Sequence, residues 1–243
     1  MITIPIKGTI VSNDDKWIYD WFDIESVSPK DVSKALQESN GQDVTIEINS
    51  GGGDVFAGNE IYYYLSQYKG SITTDIVGLA GSAASLPAMV GKSRIVPSGM
   101  LMIHNVSSGA SGDYRAMDKQ SDILKTANNA ISNSYRVKTG MSQKDLLALM
   151  DNETWMDAEK AVKYGFIDSV INDTSGVITN KAPVNLYNAC FANVLSQEVI
   201  EKMRNQFKNP NSDNLKNDDS DFLIQKSQAE LNLLKLKGVF NYD

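Results

Sequence analysis

A serine in a run of very small residues, Gly81-Ser82-Ala83-Ala84-Ser85, and the chain's only histidine, His104, have the most chemistry to offer. A hydroxyl is a poor nucleophile until a base takes its proton, and histidine is the usual base near neutral pH. Small neighbours suit a tight strand-to-helix turn and let a substrate backbone come close. Helical peptide groups after Ser82 would aim their N–H dipoles at it, favouring negative charge that develops there. Ser85 is the rival nucleophile, one helical turn further on. A serine–histidine pair also needs an orienting acid, and Asp151 and Glu153 are both candidates, in a loop before a helix where a carboxylate can reach an imidazole. Two glycine-rich turns at strand ends can supply N–H groups for an oxyanion. Taken singly, each residue has an ordinary reading: close helix packing for the small run, a structural role for the histidine. Their arrangement has to decide.

The elements that would position them alternate strand and helix. Ile2 to Ile10 reads as a strand, and Asp14 to Asp23 as a short amphipathic element holding two of the three tryptophans. Ser28-Pro29-Lys30-Asp31 is a helix start, with Val32, Ala35 and Leu36 at helical spacing after it. Asp43 to Ile48 is a β-rich run that ends in Asn49-Ser50-Gly51-Gly52-Gly53, and three consecutive glycines mark a backbone that turns sharply or approaches something closely. Helix is predicted for Asp54 to Tyr68 and strand for Ser71 to Val77. After the serine turn a buried helix over Ala83 to Val90 is expected, with Pro87 awkward beyond its first turn. Short strands at Arg94 to Val96 and Met100 to Ile103 follow, the second delivering His104. Asn105 to Gly112 is a polar loop and Asp113 to Lys138 a long helix with an apolar stripe, fit for core or for packing on another subunit. Further helices are capped by Ser142 and Asp157, and Phe166 to Ile171 is a last short strand. The pattern is that of an α/β fold with parallel pairing and right-handed crossovers.

Beyond residue 171 the character changes, which divides the chain into a domain at 1–171 and a C-terminal extension at 172–243. Val194 to Phe207 is predicted helical, 208–221 a disordered linker, and 227–239 a short terminal helix suited to docking or self-association. The 243-residue chain carries a net charge of −7, which disfavours nucleic-acid binding by a basic surface. Cys190 is the only cysteine, so neither an intrachain disulfide nor a cysteine-based metal motif can form. The N-terminus lacks the basic and apolar regions of a signal peptide, and no run approaches the ~20 apolar residues of a membrane span. A cytoplasmic protein is expected, with neither metal nor organic cofactor.

The sequence resembles the ClpP family of serine proteases, and more closely the ClpP-like head maturation proteases of tailed phages and prophages. The matching segments are Ile48 to Gly53, Gly78 to Ser85, Met102 to Asn105, Glu153 to Trp155, Ala161-Val162 and Tyr164 to Asp168, in the family's order. The resemblance implies a crotonase-like α/β fold, peptide-bond hydrolysis, and ring-forming homo-oligomers that enclose the active sites. It makes Ser82 the nucleophile, His104 the base, and Gly53 and Ala83 the backbone donors of the oxyanion hole. Glu153 stands where the housekeeping enzymes have aspartate, with Asp151 two residues away as the alternative acid. Gly51 replaces the family's proline after Ile-Asn-Ser. The implied function is a serine endopeptidase that cleaves capsid or scaffold proteins during phage head maturation, in the host cytoplasm or inside assembling proheads. Two alternatives stand beside it: the proteolytic subunit of an ATP-dependent Clp protease working with a separate ATPase unfoldase, and an inactive scaffold or assembly protein.

Overall fold

A computed structural model describes residues 2–171 and 194–206. The expected linker at 208–221 and terminal helix at 227–239 lie outside the described residues. Among those residues eight strands form one sheet. Strand β1 (Ile2–Ile10) lies between β2 (Ser26–Val27) and β3 (Val44–Gly53), and β4 (Ile72–Gly81) follows β3. The first half of β4 pairs with β5 (Lys92–Ile95), which pairs with β8 (Ser169–Val170). The second half of β4 pairs instead with β6 (Met100–Ile103). All these pairs are parallel; only β7 (Thr154–Asp157) runs antiparallel, against β6.

Parallel pairing demands crossovers, and helices supply them. The helix α1 (Lys16–Trp21) follows β1, α2 (Pro29–Glu38) links β2 to β3, and α3 (Val55–Ser66) links β3 to β4. The predicted start of α2 is present in full. The Ser28 hydroxyl accepts from the Asp31 N–H, and Asp31 accepts from the Ser28 N–H at 2.9 Å. Such caps stabilise by about 1 kcal/mol. The core between sheet and helices holds Ile6, Ile46, Ile48, Ile61 and Ile76, all fully buried. Burial of each such side chain is worth roughly 1.5–3 kcal/mol.

Beyond β6 come α4 (Tyr114–Thr139), α5 (Gln143–Asp151), α6 (Ala158–Lys163) and, after the gap in description, α7 (Gln197–Gln206). The first half of α4 is largely exposed, Tyr114 and Ile123 included, and the buried residues of the helix are Ser132, Ser134 and Tyr135. A positive-φ glycine, Gly140, ends it.

Two expectations are corrected. Residues 83–90 do not form one helix; they make two short 3₁₀ turns, Ser82–Ser85 and Pro87–Met89. Pro87 has no N–H for a continuing ladder and its ring crowds the preceding turn. The last strand is also shorter than expected, Ser169–Val170, because the Phe166 and Ile167 N–H groups still bond the Ala161 carbonyl. The glycine run, as the end of β3, makes the close approach expected of it.

Asp168 ties β5 to the end of α4. It accepts from the Ser93 N–H at 2.7 Å, the Ser93 hydroxyl at 3.2 Å and the Lys138 ammonium at 2.7 Å. Burial works to raise its pKa, but these bonds outweigh it and hold the carboxyl below its ordinary value. A carboxylate depressed in the folded state adds stability above its unfolded pKa and loses it as pH falls through the folded one. Asp168→Asn should therefore lower the melting temperature at pH 7, and thermal unfolding across pH should show the gap to wild type closing below about pH 4.

Candidate active site

Strand β4 ends at Gly81, and the chain turns at once into the 3₁₀ segment that begins with Ser82. Ser82 has φ +51°, a left-handed conformation that non-glycine residues seldom adopt and that costs of order 1–3 kcal/mol. Strand β6 runs beside the end of β4, with Gly81 paired to Met102, so His104 emerges two positions past that pairing. Its Nε2 lies 2.7 Å from the Ser82 Oγ. The sequence-predicted pair is thus brought into hydrogen-bond contact by neighbouring strands.

The glycines of β3 back this turn. A Cβ on Gly52 would stand 2.7 Å from the Ser82 Cβ, 2.8 Å from the Gly81 carbonyl oxygen and 2.9 Å from the Ala83 nitrogen, and Gly52 has φ +104°. Only glycine fits that seat. Gly52→Ala should push the serine turn out of place and lower kcat/KM on a peptide by about 100-fold, since misplacement near 1 Å costs that much. Steady-state kinetics on folded protein checks this; a wild-type value would show that this packing does not set the serine. Upstream, β3 and β4 shift register between Ile48 and Ser50. There the Asn49 side chain accepts the Leu79 N–H at 3.1 Å and takes the place of the interrupted ladder.

Ser82, His104, Gly53 and Ala83 line one cleft of about 360 Å³. The face of α4 supplies apolar side chains to it, Ile123, Leu124, Ala127 and Ile131, and residues 105–108 form another side. Ser85 sits differently. It is fully buried, donates to the Ser82 carbonyl oxygen at 2.5 Å and shares a 2.7 Å hydrogen bond with the Tyr135 hydroxyl. Burial pushes the Tyr135 phenol up to about 12, although the Ser85 bond works the other way. Ser85 braces the turn from behind.

Neither acid candidate is bonded to His104 in this structure. Asp151 accepts from the Asn105 amide at 2.8 Å, and Glu153 accepts from the Trp155 indole N–H at 3.2 Å. The β6–β7 register nevertheless pairs Ile103 with Thr154, so one step further His104 faces Glu153. Glu153 has φ +44°, a second strained residue beside the pair. Among the described residues no cluster of three His, Cys, Asp or Glu side chains suited to a metal is present.

Three features escaped the sequence reading. Strand β7 is four residues long and its partner is distant in sequence, so no periodicity marks it. Tyr135 reads as one more apolar position on the α4 stripe. Gln197 also lines the cleft, and nothing near it in sequence points there.

The sequence profile described as Clp protease matches residues 31–174 of this chain. The chain belongs to the Clp protease family. It is similar to the ATP-dependent Clp protease proteolytic subunit of Deinococcus radiodurans, 33% identical over 136 residues that cover 55% of this chain and 67% of that one. It is also similar to the ATP-dependent Clp protease proteolytic subunit 1 of Chlamydia muridarum, 31% identical over 160 residues covering 60% of this chain and 83% of the relative. The Clp protease match takes in Ser82, His104, Asp151 and Glu153, and it ends before α7. The family is one of peptidases, and the α/β architecture agrees with it. None of the described helices is long and apolar enough to cross a membrane.

Proposed function

We propose that this chain is a serine endopeptidase of the Clp type, working in a ring of identical subunits as the proteolytic partner of a separate ATPase. The observation that carries the reading is the 2.7 Å contact between the Ser82 Oγ and the His104 Nε2 inside a cleft. His104 takes the Ser82 proton as the oxygen attacks a peptide carbonyl. Backbone N–H groups of Gly53 and Ala83 hold the oxyanion. His104 then protonates the leaving amine, and water, deprotonated by the same imidazole, releases the acyl-enzyme. Glu153 orients the imidazole. The apolar side chains that α4 lends to the cleft favour an apolar residue next to the cleaved bond.

The names of the relatives, which are ATP-dependent proteolytic subunits, support an ATPase-assisted protease over a capsid-processing one. Cleavage of capsid or scaffold proteins keeps one observation in its favour, the helix α7 beyond the family's matched residues, because C-terminal extensions occur in the phage group that the sequence resembles.

Intact-mass measurement after treatment with a fluorophosphonate tests the chemistry. Wild type should gain one adduct, and Ser82→Ala should gain none. An adduct that persists in Ser82→Ala would falsify the assignment. Degradation of a folded substrate only when a Clp-type ATPase and ATP are added separates the two substrate readings; cleavage of a capsid or scaffold protein without ATPase favours the second.

A further inference from the structure

A second, smaller core lies apart from the main one. It joins Val11, Ile18 and Tyr19 to Leu195, Val199 and Met203 of the C-terminal segment, all of them buried. Polar bonds fix the same contact. The Leu195 N–H donates to the Tyr19 hydroxyl oxygen at 3.1 Å. The Arg204 guanidinium donates twice to the same carboxylate oxygen of Asp15, at 3.0 and 2.6 Å. This clasp of α7 on α1 combines burial with charge-assisted hydrogen bonds, and it sets where α7 begins. Ser196 caps the helix, its hydroxyl accepting from the Val199 N–H at 3.4 Å. The next residue, Gln197, lines the cleft that holds Ser82 and His104. A segment outside the family's matched residues thus lines the same cleft.

We infer that Gln197, held in place by the clasp of α7 on α1, is a specificity-determining residue that contacts the bound substrate chain. The inference rests on the proteolytic reading above. A glutamine amide offers one acceptor oxygen and two donor hydrogens, so it pairs with peptide groups and polar side chains without preferring either charge. Most α4 side chains in the cleft are apolar, and its one glutamine there, Gln120, already donates to the Ser108 hydroxyl at 2.6 Å. Gln197 is itself exposed, so a substrate strand lying along the cleft can reach it. A charge placed there would act on the substrate side chain that passes it.

The test uses the full chain and a panel of fluorogenic peptides that differ only in carrying Asp, Asn or Lys at one position around the cleaved bond. The readout is the ratio of kcat/KM for the Asp and Lys peptides within each variant, so overall changes in activity cancel. Gln197→Lys should move the ratio towards the Asp peptide by about fivefold at one position, and Gln197→Glu should move it the other way. Adding Arg204→Glu, which sets like charge against Asp15, should abolish the Gln197→Lys shift. Equal ratios in wild type and both Gln197 variants at every position overturn the inference, and a shift that survives Arg204→Glu overturns the part given to the clasp. Fluorophosphonate labelling of wild type keeps the two readings apart. If wild type is labelled and the ratios do not move, only the role of Gln197 falls; if wild type is not labelled, both fall.

Discussion

His104→Ala should lower kcat/KM on a peptide substrate by about 10⁴- to 10⁶-fold while the chain remains folded. His104 has no understudy, since it is the only histidine in the sequence. Its Nε2 lies 2.7 Å from the Ser82 Oγ, placed to take the proton of that hydroxyl. Without the imidazole the attack must expel a proton to water, and the leaving amine has no acid to protonate it. The residue is half-buried at the end of β6, and its hydrogen-bond partner Ser82 is also only partly buried, so truncation opens little of the core. Single-turnover kinetics beside circular dichroism checks both halves of the expectation. Loss of folding would remove the test, and His104→Gln, which nearly conserves volume, then serves in its place. Activity within tenfold of wild type in both variants would mean that another base serves Ser82.

The second large effect concerns the acid. Glu153→Gln should lower kcat/KM by about 10²- to 10⁴-fold, whereas Asp151→Asn should change it far less. The difference rests on position. Continuation of the antiparallel register sets Glu153 across from His104, while Asp151 lies at the end of α5 and accepts from Asn105. Glutamate is one methylene longer than the aspartate of the housekeeping enzymes, and it leans away onto the Trp155 indole at 3.2 Å. An exposed hydrogen bond of that kind is worth about 1 kcal/mol, less than a carboxylate gains from an imidazolium that forms during reaction. The side chain can therefore exchange one partner for the other as the reaction proceeds. Peptide hydrolysis by the two variants and the double variant decides it; a larger loss in Asp151→Asn would reverse the assignment.

The sequence made some of this legible because the signals are local. The start of α2 needs only Ser28, Pro29 and Asp31, three residues that find one another within a single turn. The Ser82–His104 pair was readable because each follows a predicted strand, and parallel strands bring their ends to one edge. The rest depends on distant partners. Ser85 reads as a rival nucleophile until it is seen to be buried and hydrogen-bonded to Tyr135, 50 positions away. The extension of β3 through Gly53 requires neighbours that leave no room for side chains, and glycine alone does not announce that. Residues 83–90 looked helical by composition, and one proline was enough to divide them. The acid stayed open between Asp151 and Glu153 because only Asn152 separates them, and the register with β6 is what distinguishes which faces the imidazole.

The clasp between Arg204 and Asp15 joins residues 189 positions apart, and that between Leu195 and Tyr19 spans 176. A ribosome makes these partners early and late in one round of synthesis. Val11, Ile18 and Tyr19 emerge early and stay wet until residues 195–203 leave the exit tunnel. The nascent chain can align its strands, and with them its serine and histidine, well before the wall bearing Gln197 arrives. Synthesis therefore finishes the reactive pair first and the shape of its cleft last.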